Sequence, residues 1–188
     1  MRRLLTLLSI LLLFAGCDSK SEYTPLQQAV VDYVSKNAGE GATLTFKKIE
    51  IADSLTVGQL YEQRIRAFEV KLDQDTKYYE SYKAKKMPNN MEKHLKAMGK
   101  DKTILEALHG MDISAVADEV LCYDIVFTGK AETAESIMEF EDFYAAVTPE
   151  GKVLSTNNTQ KGLHKGFGKY LEGYTEILRS VGDEEEED

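Results

Sequence analysis

Apolar residues follow helical and strand periodicities in turn along the chain. Leu26, Ala29, Val30, Tyr33 and Val34 recur at helical spacing and form one apolar face. Thr24 and Pro25 supply an N-cap and a first-turn proline before them, and Gly39 and Gly41 end the element. Leu44 and Phe46 alternate as in a strand, but the step to Ile49 and Ile51 shifts phase, which predicts a bulge. A long helix is predicted from about Leu55 to Lys86, carried by Val57, Tyr61, Ile65, Phe68, Leu72, Tyr79 and Tyr82 and stopped by Met87-Pro88. Two short helices are predicted next. Met91, Leu95 and Met98 mark one, closed by Gly99. Asp101 caps the other, which holds Ile104, Leu105 and Leu108 and ends at Gly110.

Strand patterning returns at Val120 to Thr128. Both alternating sets there are largely apolar, as expected of a central strand. Gly129 to Ala134 reads as a connection, Ile137 to Val147 as the next strand, and Pro149-Glu150-Gly151 as a turn into Val153 to Thr156. Leu163, Phe167, Tyr170, Leu171, Tyr174, Ile177 and Leu178 form a regular stripe, read as one C-terminal helix. The predicted fold class is α+β: an antiparallel sheet of about four strands, with N-terminal, long central and C-terminal helices packed on one of its faces. The element order resembles that of cystatin-like and NTF2-like domains, which wrap a curved sheet around a helix.

The first residues follow a different logic. Arg2 and Arg3 precede an eleven-residue apolar run, Leu4 to Phe14, and then the small residues Ala15 and Gly16. As a helix that run is about 17 Å long, too short for a bilayer core of about 30 Å. A basic start, a short apolar run and small residues together make a secretory signal. The segment Leu12-Leu13-Phe14-Ala15-Gly16-Cys17 resembles the lipobox of bacterial lipoproteins, with Phe14 departing from the commoner leucine. The resemblance implies acylation of Cys17, cleavage before it and anchoring in the bacterial cell envelope, at the outer membrane or the periplasmic face. The domain reading is then 1–16 signal peptide, 17–23 lipidated tether, 24–182 a single α+β domain, and 183–188 an acidic disordered tail. At 188 residues the chain is long enough to fold without disulfides. With lipid on Cys17, Cys122 has no intramolecular partner and is expected to be a small core residue.

Charge is segregated. The formal charge of −9 becomes −11 once Arg2 and Arg3 are removed, yet the stretch from Lys77 to Lys102 carries eight lysines against Glu80, Glu92 and Asp101. Tyr78 and Tyr82, with Lys83, Lys85 and Lys86, form the candidate partner-binding surface, suited to an envelope protein or glycan. Tyr79 and Tyr82 also continue the helix's core stripe, whereas Tyr78 lies off it. A pI near 5.0 and export argue against nucleic acid as the partner.

Chemistry-bearing motifs are sparse. His94, His109 and His164 are too far apart in sequence for a local metal motif, and nothing calls for a cofactor. Asp73 and Asp75 lack the turn glycine of a calcium loop. Gly166-Phe167-Gly168-Lys169 lacks the spacing of a phosphate loop. Gly162, Gly166 and Gly173 instead suggest a helix face in close contact with a neighbour. Glu139, Glu141 and Asp142 gather carboxylates on one strand, an arrangement more often solvated than catalytic. There is no GxSxG element. Asp53-Ser54-Leu55 resembles the short O-glycosylation pattern of Bacteroidetes, and Asn157-Asn158-Thr159 is a formal N-glycosylation acceptor. The leading reading is a lipid-anchored, non-enzymatic binding or accessory domain. An envelope hydrolase acting on glycan or peptide, and a structural subunit of an envelope machine, stay open beside it.

Overall fold

The computed structural model describes residues 23–182, so the predicted leader, most of the tether and the acidic tail lie outside the described residues. Helix α1 (Pro25–Asn37) starts at Thr24, whose side chain accepts from the Gln27 N–H while the Gln27 side chain returns to the Thr24 N–H. Helix α2 (Val57–Ala84) starts the same way, from Thr56 and Gln59. Each such capping box satisfies otherwise orphaned donors and is worth about 1 kcal/mol.

Strands β1 (Thr43–Thr56), β2 (Val120–Glu132), β3 (Ile137–Val147) and β4 (Val153–Asn157) pair antiparallel in the order β1-β2-β3-β4. The phase shift after Phe46 is a bulge, with Lys47 as the extra residue. A second irregularity at Ala52 was not expected. It exchanges the faces of β1: Ile49 packs with Ile125 and Phe127 on one side, and Leu55 packs with Cys122 on the other.

Neighbouring residues of β2 and β3 likewise feed opposite cores. Cys122 and Ala146 join α2 and the C-terminal segment, whereas Ile125, Phe127, Ala145 and Val147 pack against Val30 of α1. The helices therefore cover both faces of the sheet, not one. Two separate apolar sets along each strand require two covers, and α1 supplies the second.

Three further expectations are corrected. Residues 88–109 form one helix, α3 (Pro88–His109). Gly99 lies inside it, and Asp101 is no cap but a fully buried carboxylate with Lys71 Nζ 3.1 Å away. The C-terminal stripe is buried as predicted at Leu163, Phe167, Leu171, Tyr174 and Leu178, but on three short pieces. These are α4 (Gln160–Leu163), a 3-10 turn (Phe167–Tyr170) and α5 (Tyr174–Ser180). Gly166 and Gly173 separate them at φ 73° and 81°, values that break a right-handed helix and favour glycine. Of the three glycines expected at a close approach, only Gly162 has a crowded neighbour, the Asn157 side chain.

Gly129 does not start the connection, because β2 continues through it to Glu132. A Cβ at Gly129 would lie 2.4 Å from the Thr45 carbonyl oxygen and 2.9 Å from the Phe140 ring. The glycine lets Phe46 and Phe140 meet across the strand, ring centroids 5.6 Å apart.

Helices α2 and α3 form an antiparallel arm. Its base is embedded through Leu60, Phe68, Ile104, Leu105 and Leu108. Between Glu69 and Lys100 no residue is buried, so the far half stands clear of the core. No helix among the described residues is long and apolar enough to cross a membrane.

The two glycines predict opposite outcomes. Gly129→Ala should destabilise by at least about 1–3 kcal/mol through backbone overpacking. Gly99→Ala, with open space around it in mid-helix, should stabilise by about 0.5–1 kcal/mol. Urea unfolding midpoints of both variants check this.

Candidate functional site

β2 is almost wholly apolar from Val120 to Phe127, with one exception. Asp124 carries a carboxylate that is 1 % exposed in the middle of the sheet. An isolated buried carboxylate is costly, so it needs partners. His164, just after α4, supplies one, with Nε2 2.8 Å from Asp124 Oδ1. Gln160 Nε2 donates to Asp124 Oδ2 at 3.3 Å. The His164 ring lies against Phe167, centroids 5.2 Å apart. Its backbone carbonyl accepts from Arg64 Nη2 at 2.8 Å, which ties the loop to α2.

These residues form the floor and one wall of an open cleft of about 800 Å³. Asp53 and Ser54 of β1 line its edge, Gln63 and Arg64 come from α2, and Thr159 to Gly162 and Lys165 close it from the C-terminal segment. The bulge at Ala52 brings Asp53 to this face, opposite Asp124 in the strand register. The charged residues lining the cleft are the cations Arg64, Lys161 and Lys165 and the anions Asp53 and Asp124, the last bonded by His164 and Gln160. Cations therefore outnumber carboxylates by one in the cleft of a net acidic chain, and its other groups include amides and hydroxyls that bond either way.

Cys122 sits two residues before Asp124 on the same strand face and is fully buried. Burial first, and the Asp124 charge second, push its thiol up to about 12. It is a neutral thiol at physiological pH, not an activated nucleophile. Its sulfur, an Asp124 oxygen and a His164 ring nitrogen all lie within 4.8 Å of one another.

The residues predicted from sequence lie elsewhere. Cys17 is outside the described residues. Tyr78 and Tyr82 both pack on His94, at ring-centroid distances of 5.2 and 5.4 Å, and His94 Nδ1 is 2.6 Å from Asp75 Oδ1. Tyr82 is thus engaged between α2 and α3, and Tyr78 is half exposed beside it. Lys83, Lys85 and Lys86 are exposed at the tip of the arm, Lys85 over the Tyr82 ring. Arg64 and Lys83 are 19 residues apart on one helix, about 28 Å along its axis, so the structure does not bring the lysine-rich tip to the cleft.

Glu139 and Glu141 are exposed on β3, and Asp142 occupies an irregularity there at φ 45°, its N–H donating to Thr128 Oγ1 at 3.0 Å. None of the three lines the cleft. His109 is exposed at the end of α3. Asn157 is half-buried and accepts from the Thr159 N–H.

Sequence spacing missed Asp124 and His164 because 40 residues separate them. One signal was present: a single charged residue inside a central apolar strand, which demands a partner from elsewhere in the chain. No family model, no curated protein and no solved structure matches the chain.

The thiol gives a pH prediction. The unfolded chain loses the Cys122 proton from about pH 9.0 upward, whereas the folded chain holds it up to about 12. Unfolding then releases a proton, so stability falls as pH rises through that window. Urea unfolding followed against pH should show this alkaline slope in the wild type and a shallower one in Cys122→Ala.

Proposed function

We propose that the protein is a lipid-anchored binding domain of the bacterial cell envelope whose cleft holds a small anionic, hydrogen-bonding ligand. The cleft carries this reading: three cations and several amides and hydroxyls surround the Asp124–His164 pair in about 800 Å³, within the usual size of small-molecule sites. Such sites are mostly apolar; the polar lining here fits a ligand rich in oxygen, of which an acidic glycan fragment is the envelope example. The leader and Cys17 support export and anchoring.

A hydrolase is the second reading, favoured by the carboxylate–imidazole pair at the cleft floor, a pair of groups that general acid–base catalysis uses. The exposed lysines at the tip of the arm offer a separate contact surface for an acidic partner protein.

Two experiments test the proposal. Full-length protein should fractionate with membranes and take up labelled fatty acid, and Cys17→Ser should lose both. A thermal-shift panel of uronate oligosaccharides and sugar phosphates against neutral oligosaccharides should show stabilisation by acidic members only. Lys161→Gln with Lys165→Gln should weaken that binding about tenfold, or 1.4 kcal/mol. Stabilisation by neutral sugars alone would overturn the anion reading, and turnover of a probe would select the hydrolase.

A further inference from the structure

We propose that Cys122, Asp124 and His164 form a binding site for one zinc-class divalent cation at the floor of the cleft. The three come from two elements that the fold holds together. Cys122 and Asp124 are two residues apart on β2, so both project to the same face. His164 reaches them from the segment after α4. Their ligand atoms lie within 4.8 Å of one another. The donors around a tetrahedral zinc are about 3.3–3.6 Å apart, so closing on an ion takes side-chain rotation and leaves the strands in place.

The donor set selects the metal class. One sulfur, one imidazole nitrogen and one carboxylate suit zinc and similar borderline ions, and do not suit calcium or magnesium, which need more oxygens. Three protein ligands with one side open is the arrangement of zinc sites that receive a water or a ligand. Here the open side is the cleft, which Asp124 and His164 both line. Supporting contacts are in place: Gln160 holds the second oxygen of Asp124, and Phe167 packs on the imidazole. The ion must displace the thiol proton, and its own charge beside the sulfur favours that loss.

The inference builds on the cleft as a ligand site, since the open coordination position faces the bound anion. Its test is separate. Full-length protein in detergent micelles, stripped with a chelator, is titrated with Co²⁺ as the spectroscopic probe. The expected result is saturation at one equivalent, with a thiolate-to-cobalt charge-transfer band in the near ultraviolet that Zn²⁺ abolishes by displacement. The band should persist in Cys17→Ser and in His94→Ala, whose ring belongs to the arm. Cys122→Ser should lose it, and His164→Ala should weaken uptake at least about tenfold. A natively folded wild-type chain that takes up no Co²⁺, or takes it up without the band, overturns the site. Anion binding retained in that case leaves the cleft reading standing. A cobalt band retained without anion binding supports the metal site and removes the cleft reading alone.

Discussion

A carboxylate buried in the central strand is the constraint around which the cleft-bearing face is arranged. Asp124 sits where the neighbouring positions of β2 are apolar and closed to water. Such a charge is tolerated only when its oxygens are bonded. His164 and Gln160 bond them, Gln160 from the start of α4 and His164 from just after it. Asp124 therefore does more than occupy the sheet: it fixes where the chain from 159 to 165 lies. Arg64 reinforces the position from α2 by donating to the His164 carbonyl, and Ser155 does so from β4 by donating to the Leu163 carbonyl at 2.7 Å. The cleft is the space left between these ties and the edge of β1.

Most of the fold is legible in the hydrophobic pattern, because the pattern states directly which face an element buries. The α1 cap at Thr24, the central character of β2 and the phase shift after Phe46 are all of this kind. The differences arise where tertiary contacts override a local signal. Gly99 reads as a stop in sequence, but α3 continues because α2 lies along it and Lys71 meets Asp101 just beyond. The C-terminal stripe keeps helical spacing while its glycines adopt left-handed φ values, so the burial pattern survives and the single helix does not. Gly129 reads as a turn, yet the rings above it make it a strand residue.

The candidate site is less legible for a related reason. Its residues are drawn from β1, β2, α2 and the C-terminal segment, and no short motif spans them. The Ala52 irregularity that turns Asp53 toward the cleft has no signature, since alanine there breaks no pattern. The visible concentration of tyrosine and lysine drew attention to the arm instead. Part of that concentration is structural: Tyr82 and His94 stack nearly parallel, at 14°, and with Asp75 hold α2 to α3 beyond the reach of the core. The lysines are then the solvated outer face of a projecting helix pair.

The two faces of the sheet would relate differently to the lipid proposed on Cys17. The six Cα-to-Cα steps from Cys17 to Tyr23 extend at most about 22 Å, so an anchored domain would stay close to the bilayer. The described chain enters at Tyr23, whose ring contacts Phe46 at 6.4 Å in the core beneath α1. That core lies on the sheet face opposite Asp124 and Cys122. With the proposed lipid on Cys17, a short tether entering on the α1 side would hold that side nearest the bilayer, with the sheet between the membrane and the cleft. The cationic cleft would open away from the bilayer, where its ligand arrives from the surrounding space and does not compete with anionic headgroups for Lys161 and Lys165. On the proposed anchoring, a cleft on the sheet face away from the tether would stay available to bind.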